Sequence, residues 1–212
     1  MEILQDIIDS VIAAVGDDTH LLKQCCLVSS SFLLPSRKQL FSRARVTIRS
    51  EETSKGIHQF FVQNPVIQSY VRAIALIHSS PYYSECQWMN DTSLFAILRL
   101  PFCYLECFSI ISPRTSWDWN CFSSEMKDAL LNIILSSTLK TLYLGGITNV
   151  PITIFLHIAH LTTLELDSIS PSDFCDGNSS SLTQAASKVA PVASHTVVDR
   201  CVWRFETVHT RR

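Results

Sequence analysis

Glycine is scarce in this chain: 5 in 212 residues, at positions 16, 56, 145, 146 and 177. Neither a P-loop nor a dinucleotide-binding fingerprint can be written with glycines so placed, which excludes nucleotide-dependent chemistry of those two kinds. There is also no Gly-x-Ser-x-Gly elbow and no His-Glu-x-x-His pair. Charge is sparse and balanced, 17% of residues with Lys+Arg 17 against Asp+Glu 19 and a net charge of -2. The general positive field that neutralises phosphates is therefore missing, and no nucleic-acid partner is expected. Long clean apolar runs are lacking too. The stretch from Leu94 to Ile111 is interrupted by Arg99, Pro101 and Glu106, and that from Val150 to Leu166 by His157 and His160. These residues are costly in hydrocarbon, so no membrane span is expected. The opening residues Met1 to Asp6 carry acids where a secretory signal carries Lys or Arg, which suggests a cytoplasmic or nuclear protein.

What is abundant is apolar surface, 47% of residues, with 8 cysteines scattered among it. That composition is far from a disordered one and implies packed structure over most of the chain. The cysteines, including the adjacent pair Cys25-Cys26, read as reduced core residues. Cys103-x-x-x-Cys107 and His157-x-x-His160 invite a zinc reading, but a structural site needs four ligands close together, so neither metal nor cofactor is expected. The acidic pairs Asp17-Asp18 and Glu51-Glu52 stand at helix starts, where negative charge offsets the macrodipole. No catalytic residue emerges, and the chain reads as a non-enzyme.

The first forty residues predict a helical unit. Apolar residues at 3, 4, 7, 8, 11, 12 and 15 form the double stripe of a helix whose wide face needs a cover. A capping run Asp17-Asp18-Thr19 then precedes a second stripe of Leu21, Leu22, Cys25, Cys26 and Val28, and Pro35 is expected to start a third short helix.

Behind this unit the chain repeats itself. Val71-x-x-Ile74-x-Leu76, Leu105-x-x-Phe108-x-Ile110, Leu139-x-x-Leu142-x-Leu144 and Leu161-x-x-Leu164-x-Leu166 share one spacing. A weaker fifth ends in Val46-x-Ile48, with Arg43 at its first position. Between these strands lie amphipathic stretches expected to be helical, over 52–63, 93–100, 123–135 and 152–159. Such alternation implies parallel strands joined by crossovers, and the repeat lengths fall near those of leucine-rich repeats. Val198-x-x-Cys201-x-Trp203 has the same spacing beyond a Ser- and Asp-rich loop that begins at Pro171. The expected organisation is a helical module over 1–42, a repeat domain over 43–170, and a loop with an uncertain terminal repeat over 171–212. The expected fold class is α/β, an N-terminal three-helix module followed by an irregular solenoid of parallel strands and helices.

Residues 3 to 41 resemble the F-box of divergent fungal F-box proteins, and the array behind them resembles the leucine-rich-repeat-like region of that family. Ile3, Leu4, Gln5 and Asp6 occupy the places of the family's Leu-Pro-x-Glu start, and Leu27-Val28-Ser29-Ser30-Ser31-Phe32 those of its Leu-Val-Cys-x-x-Trp. Pro35 to Phe41 also looks like the close of that motif. The resemblance implies a substrate-recognition adaptor that docks the Skp adaptor of a cullin-based (SCF) ubiquitin ligase while the repeats hold an unknown protein substrate. The contacts it carries over are Ile3, Leu4, Ile7, Ile8, Val28 and Phe32. The same residues could instead form the core of an ordinary three-helix cap on a protein-binding scaffold with no ubiquitin-ligase link. The repeats depart from the standard pattern where it places Asn or Cys, since Ser79, Pro113, Ile147 and Ile169 stand there, so an irregular array without that side-chain ladder is expected.

Alternation predicts which strand residues face outward. With the fourth and sixth positions of each repeat buried, Arg45, Thr47 and Arg49, Ala73, Ala75 and Ile77, Cys107, Ser109 and Ile111, Thr141 and Tyr143, and Thr163, Glu165 and Asp167 face solvent. Arg45, Thr47, Ala75, Ser109, Thr141, Tyr143, Thr163 and Glu165 are the candidate substrate contacts, with Tyr143 the best single anchor because it is large and amphipathic.

Overall fold

The computed structural model describes residues 2–48, 50–78, 90–112, 117–167 and 170–171. The fold is mixed α/β, with eight helices and a five-stranded parallel sheet among the described residues.

Three helices come first: α1 (Glu2–Val15), α2 (Thr19–Val28) and α3 (Ser30–Phe41). Gly16 ends α1 at φ 60, a left-handed conformation that costs glycine little, and its N–H reaches the carbonyls of Ile12 and Ala13 at 3.2 and 3.1 Å. Asp18 caps α2, its carboxylate accepting from the N–H groups of His20 and Leu21 at 2.9 and 3.0 Å. The third helix departs from expectation. It begins at Ser30, directly after the extended Ser29, and carries Pro35 inside it. The missing proline N–H leaves the Ser31 carbonyl without its helical donor, and Ser31 is exposed, where water can serve instead. Inside the unit, Ile8, Ile12 and Leu22 are buried, with Val15, Cys25, Phe32 and Leu40 packed on them.

Among the described residues eight strands follow: β1 (Arg43–Ile48), β2 (Ala73–His78), β3 (Cys107–Ile111), β4 (Trp117–Asp118), β5 (Thr141–Gly145), β6 (Ile147–Val150), β7 (Thr163–Asp167) and β8 (Ser170–Pro171). The main sheet has the order β1-β2-β3-β5-β7, parallel throughout, so each strand pairs with the next repeat's strand. Helices α4 (Glu51–Gln63), α5 (Pro65–Gln68), α6 (Thr92–Leu98), α7 (Ser124–Ile134) and α8 (Ile152–Leu156) lie between these strands in sequence. Ser50, Asp91 and Ser123 cap three of them by accepting backbone N–H groups in the first turn. The fourth predicted helix is shorter than expected and stops at Leu156.

The core is filled as the alternation requires. Val46 and Ile48, Ile74 and Leu76, Phe108 and Ile110, and Leu142 and Leu144 point inward and are buried. They meet Leu94 and Ile97 from α6 and Met126, Leu130 and Ile134 from α7, all buried in one continuous core. Each such side chain contributes about 1.5–3 kcal/mol by leaving water, and this is the main force stacking one strand and helix on the next.

The backbone shows where the repeat truly begins. The Ser42 carbonyl accepts the N–H groups of Arg72 and Ala73, that of Arg72 accepts those of Glu106 and Cys107, that of Glu106 those of Lys140 and Thr141, and that of Lys140 those of Thr162 and Thr163. Ser42, Arg72, Glu106, Lys140 and Thr162 are therefore equivalent. This corrects the first repeat by two residues, because Arg43 pairs with Ala73 and Val46 with Leu76. Its opening apolar residue is Phe41, packed on the core, rather than Arg43. The misreading has a simple cause: a shift of two preserves which face a strand residue occupies, so alternation cannot detect it.

A second parallel sheet, β4-β6-β8, stands beside the first. Gly146, at φ 71, makes the corner between β5 and β6. Its N–H donates to the Asp167 carbonyl at 2.8 Å and its carbonyl accepts from Trp117 N–H at 2.7 Å, so it binds both neighbouring turns. Ile147, one of the positions expected to lack a polar ladder, is buried in β6 opposite Trp117. Backbone pairing joins the turns there; Ser79, Pro113 and Ile169 lie outside the described residues.

Candidate functional site

Two surfaces gather the residues singled out in the sequence. The first is the solvent-exposed surface of the helical unit. Leu4, Ile7 and Val28 are exposed, at 61%, 55% and 68%. Leu27 is more exposed still, at 86%, and Val11, Leu21 and Leu34 also reach solvent. Two other candidates face elsewhere. Ile8 is 3% exposed and belongs to the small core, and Phe32 is half-buried against that core. Ile3 lies in α1, but its side chain is outside the described residues. The double stripe of α1 thus divides its labour, with Ile8 and Ile12 inward and Leu4, Ile7 and Val11 outward. Leu27 and Leu34 were not singled out, although apolar residues in excess of one helix face were the signal for them.

The second surface is the open face of the main sheet. Parallel register sets Arg45, Ala75, Ser109, Tyr143 and Glu165 in one row across all five strands. On one side runs Arg43, Ala73, Cys107, Thr141 and Thr163, and on the other Thr47, Ile77, Ile111, Gly145 and Asp167. Arg45, Thr47, Ala75, Ser109, Thr141 and Tyr143 are half-buried, while Thr163 and Glu165 are exposed. The register correction brings Arg43 onto this face, a residue the sequence reading had placed at the repeat start. It forms an ion pair with Asp17 of the α1–α2 turn and so ties the face to the helical unit. Arg49 lies outside the described residues.

Tyr143 is the most constrained side chain on this face. Its hydroxyl donates to the Asp167 carboxylate at 3.3 Å. Burial, then the negative charge of Asp167 and the hydrogen bond to it, then the charge of Glu165, hold its phenol above the usual value. The ring lies over Gly145, where a Cβ would come within 2.8 Å of Cε1 and 3.0 Å of the hydroxyl oxygen. Gly145 is thus a close-approach glycine rather than a turn glycine.

Between the two surfaces runs an open groove of about 1180 Å³, bounded by Asp9, Leu34 and Lys38 on the helices and by Arg43, Arg72 and Tyr104 at the strand starts. On its sheet side Glu106 accepts from Arg72 and pairs with Lys140, each at 3.2 Å, and the Arg72 guanidinium lies 5.6 Å from the Tyr104 ring centroid. These charges sit on the same repeat position, so the ion pairs run along the stack from the second repeat to the fourth. Among the described residues no group of three His, Cys, Asp or Glu could share a metal ion, and no helix is long and apolar enough to cross a membrane. The arrangement leaves apolar side chains exposed on the helices and a mixed polar face on the sheet. Comparison with protein families, with curated proteins and with solved structures finds no match to this chain.

Proposed function

We propose that this chain is a non-enzymatic substrate-recognition adaptor of an SCF-type ubiquitin ligase. In this reading the α1–α3 unit is F-box-like and docks a Skp adaptor, and the strand and helix array is an irregular leucine-rich-repeat-like solenoid that holds a protein substrate. One observation carries it: α1 and α2 leave Leu4, Ile7, Leu27 and Val28 in solvent although the small core beneath them is already closed by Ile8, Ile12 and Leu22. Apolar side chains crowded on one small unit in this way mark an interaction surface. The docking contacts are then Leu4, Ile7 and Val28 of the family's positions, joined by Leu27, whereas Ile8 and Phe32 support the unit from within.

A second reading, a protein-binding scaffold with no ubiquitin-ligase link, draws on those same two inward residues, which serve as core. Binding of the full chain to a Skp adaptor separates the two. The wild-type chain is expected to bind, and replacing Ile7 and Val28 together by Asp should weaken binding at least ~30-fold, the loss of about 2 kcal/mol typical of a hot spot. Circular dichroism should be unchanged, since both positions are exposed. Failure of the wild-type chain to bind at tens of micromolar would overturn the ligase reading and leave the scaffold.

A further inference from the structure

Ser30, Leu34, Lys38 and Ser42 recur at every fourth position, one face of α3 and its C-cap, and all four line the groove between the helical unit and the array. The groove therefore follows α3 from end to end, about 18 Å at 1.5 Å per residue, the reach of roughly five or six extended residues. Its volume of about 1180 Å³ is above the ~300–1,000 Å³ usual for a small-molecule pocket. An extended chain segment suits it better than a compact ligand. On α1 the groove is lined by Gln5, Asp9 and Ala13, again four apart. Asp9 lies roughly 140–160° around that helix from Leu4, Ile7 and Val11. A partner seated on the exposed apolar stripe of α1 thus approaches from the far side and does not fill the groove.

The charges in the groove select the occupant. Lys38, on the helical wall, is exposed and makes no ion pair among the described residues. On the array wall Arg72 and Lys140 both lean on a single oxygen of Glu106, so two cations share one carboxylate. Arg43 is already committed to Asp17. Against this stands the carboxylate of Asp9, which accepts from the Gln5 amide at 2.8 Å. Cationic capacity is therefore left on both walls of the groove although the chain as a whole carries a net charge of -2. We propose that the groove holds an extended acidic segment of a partner protein. Its carboxylates meet Lys38 on one wall and Arg72 on the other, and its apolar residues lie against the exposed Leu34 and Tyr104. The inference goes beyond the ligase reading and holds equally for a scaffold. A basic segment is the poorer occupant, because it would bring like charges to Lys38 and Arg72.

Fluorescence anisotropy with the full chain tests this, using a rhodamine-labelled peptide Glu-Leu-Glu-Glu-Leu-Glu and its opposite, Lys-Leu-Lys-Lys-Leu-Lys. The acidic peptide should bind and the basic one should not, and binding should weaken as salt rises. Lys38→Glu turns an attraction into a repulsion and should weaken binding at least ~5-fold. Arg72→Gln, on the opposite wall, should weaken it too. Lys55→Glu, at an exposed position of α4 that does not line the groove, should leave it unchanged. Circular dichroism of Lys38→Glu should match the wild type, since that position is exposed. No binding of the acidic peptide, equal binding of the two peptides, or equal losses from Lys38→Glu and Lys55→Glu overturns the proposal. Tighter binding of a short oligothymidylate overturns it in favour of a nucleic acid. Adaptor binding is measured on the same proteins. A chain that binds the Skp adaptor but not the acidic peptide refutes the groove alone, and one that binds the peptide but not the adaptor refutes the ligase reading alone. Adaptor binding weakened by Lys38→Glu would assign the groove to the adaptor and overturn the proposal.

Discussion

Tyr143 and Gly145 constrain each other through a single missing methyl group. A Gly145→Ala substitution places Cβ 2.8 Å from the Tyr143 ring, and the ring, as the movable partner, must swing off the face and give up its hydrogen bond to Asp167. Spectrophotometric titration of the variant should show the phenol returning toward its usual value near 10. The sign of the linked stability follows. The folded chain keeps this phenol protonated to higher pH than the unfolded chain does, so its contribution is complete below the unfolded value of about 10 and is lost as pH rises through the folded value. The wild-type protein should therefore lose more stability than Gly145→Ala between about pH 9 and 11 (one unit either side of the reference titration), as followed by urea unfolding. A similar contrast holds for two adjacent residues of α1. Ile8→Ala removes a buried side chain and should cost about 2–5 kcal/mol, whereas Ile7→Ala at an exposed position should stay within ~0.5 kcal/mol. Equal costs in denaturant melts would contradict the division of the helix into an inner and an outer stripe.

Elements are where sequence and structure part company, and the reasons are specific. The strands were legible because β residues alternate faces, which a bare list of apolar positions reveals, and Ile74, Phe108 and Leu142 are indeed buried and in register. The starting point of the first repeat was not, because the shift from Phe41 to Arg43 keeps every face the same. The start of α3 was misplaced because Pro35 reads as a helix opener, and the exposed position that makes an interior proline affordable is set by tertiary structure. The second sheet left almost no pattern, since β4 and β8 have two residues each. Charge on the repeat rows was also hidden, because Arg72, Glu106 and Lys140 are 34 residues apart at each step and meet only through stacking. Their partnership makes a prediction at this scale. Glu106→Ala leaves two exposed cations side by side, but the pairs are solvent-screened, so the loss should be no more than about 1 kcal/mol and should vanish at 1 M salt (a Debye length of about 3 Å). A loss of several kcal/mol in unfolding at either salt would mean that the charge row, rather than the apolar core, joins the repeats.

At the scale of the whole molecule the decisive fact is that the described residues form two cores of very unequal size. Ile8, Ile12 and Leu22 with four half-buried neighbours close the helical unit, whereas the core of the array runs unbroken from Ala44 to Ile158. A unit of about forty residues with so little buried surface is marginal by itself, because conformational entropy grows with chain length while the surface hidden in a small core does not keep pace. Among the described residues its connection to the array runs through Phe41, which packs on the array core beside Phe60, the chain junction at Ser42 and the exposed Arg43–Asp17 ion pair. Native-state hydrogen exchange should therefore find α1–α3 opening at a lower free energy than β2, β3 and β5, as a separate cooperative unit. A single opening energy across both would show that the array stabilises the helices after all. The same measurement reports on the proposed docking. A partner that binds only the closed helical unit raises its opening free energy by RT ln(1 + [L]/Kd), about 2.7 kcal/mol at a hundredfold excess over Kd, and leaves amides in the sheet unaffected. Exposed apolar residues on an otherwise marginal module are thus read as one design: the side chains that fail to stabilise the isolated unit are those a partner would cover, so folding stability and partner binding are drawn from the same surface. With a Skp adaptor added, slowed exchange confined to α1–α3 is the expected pattern, and slowing in the sheet alone would place the partner on the other face.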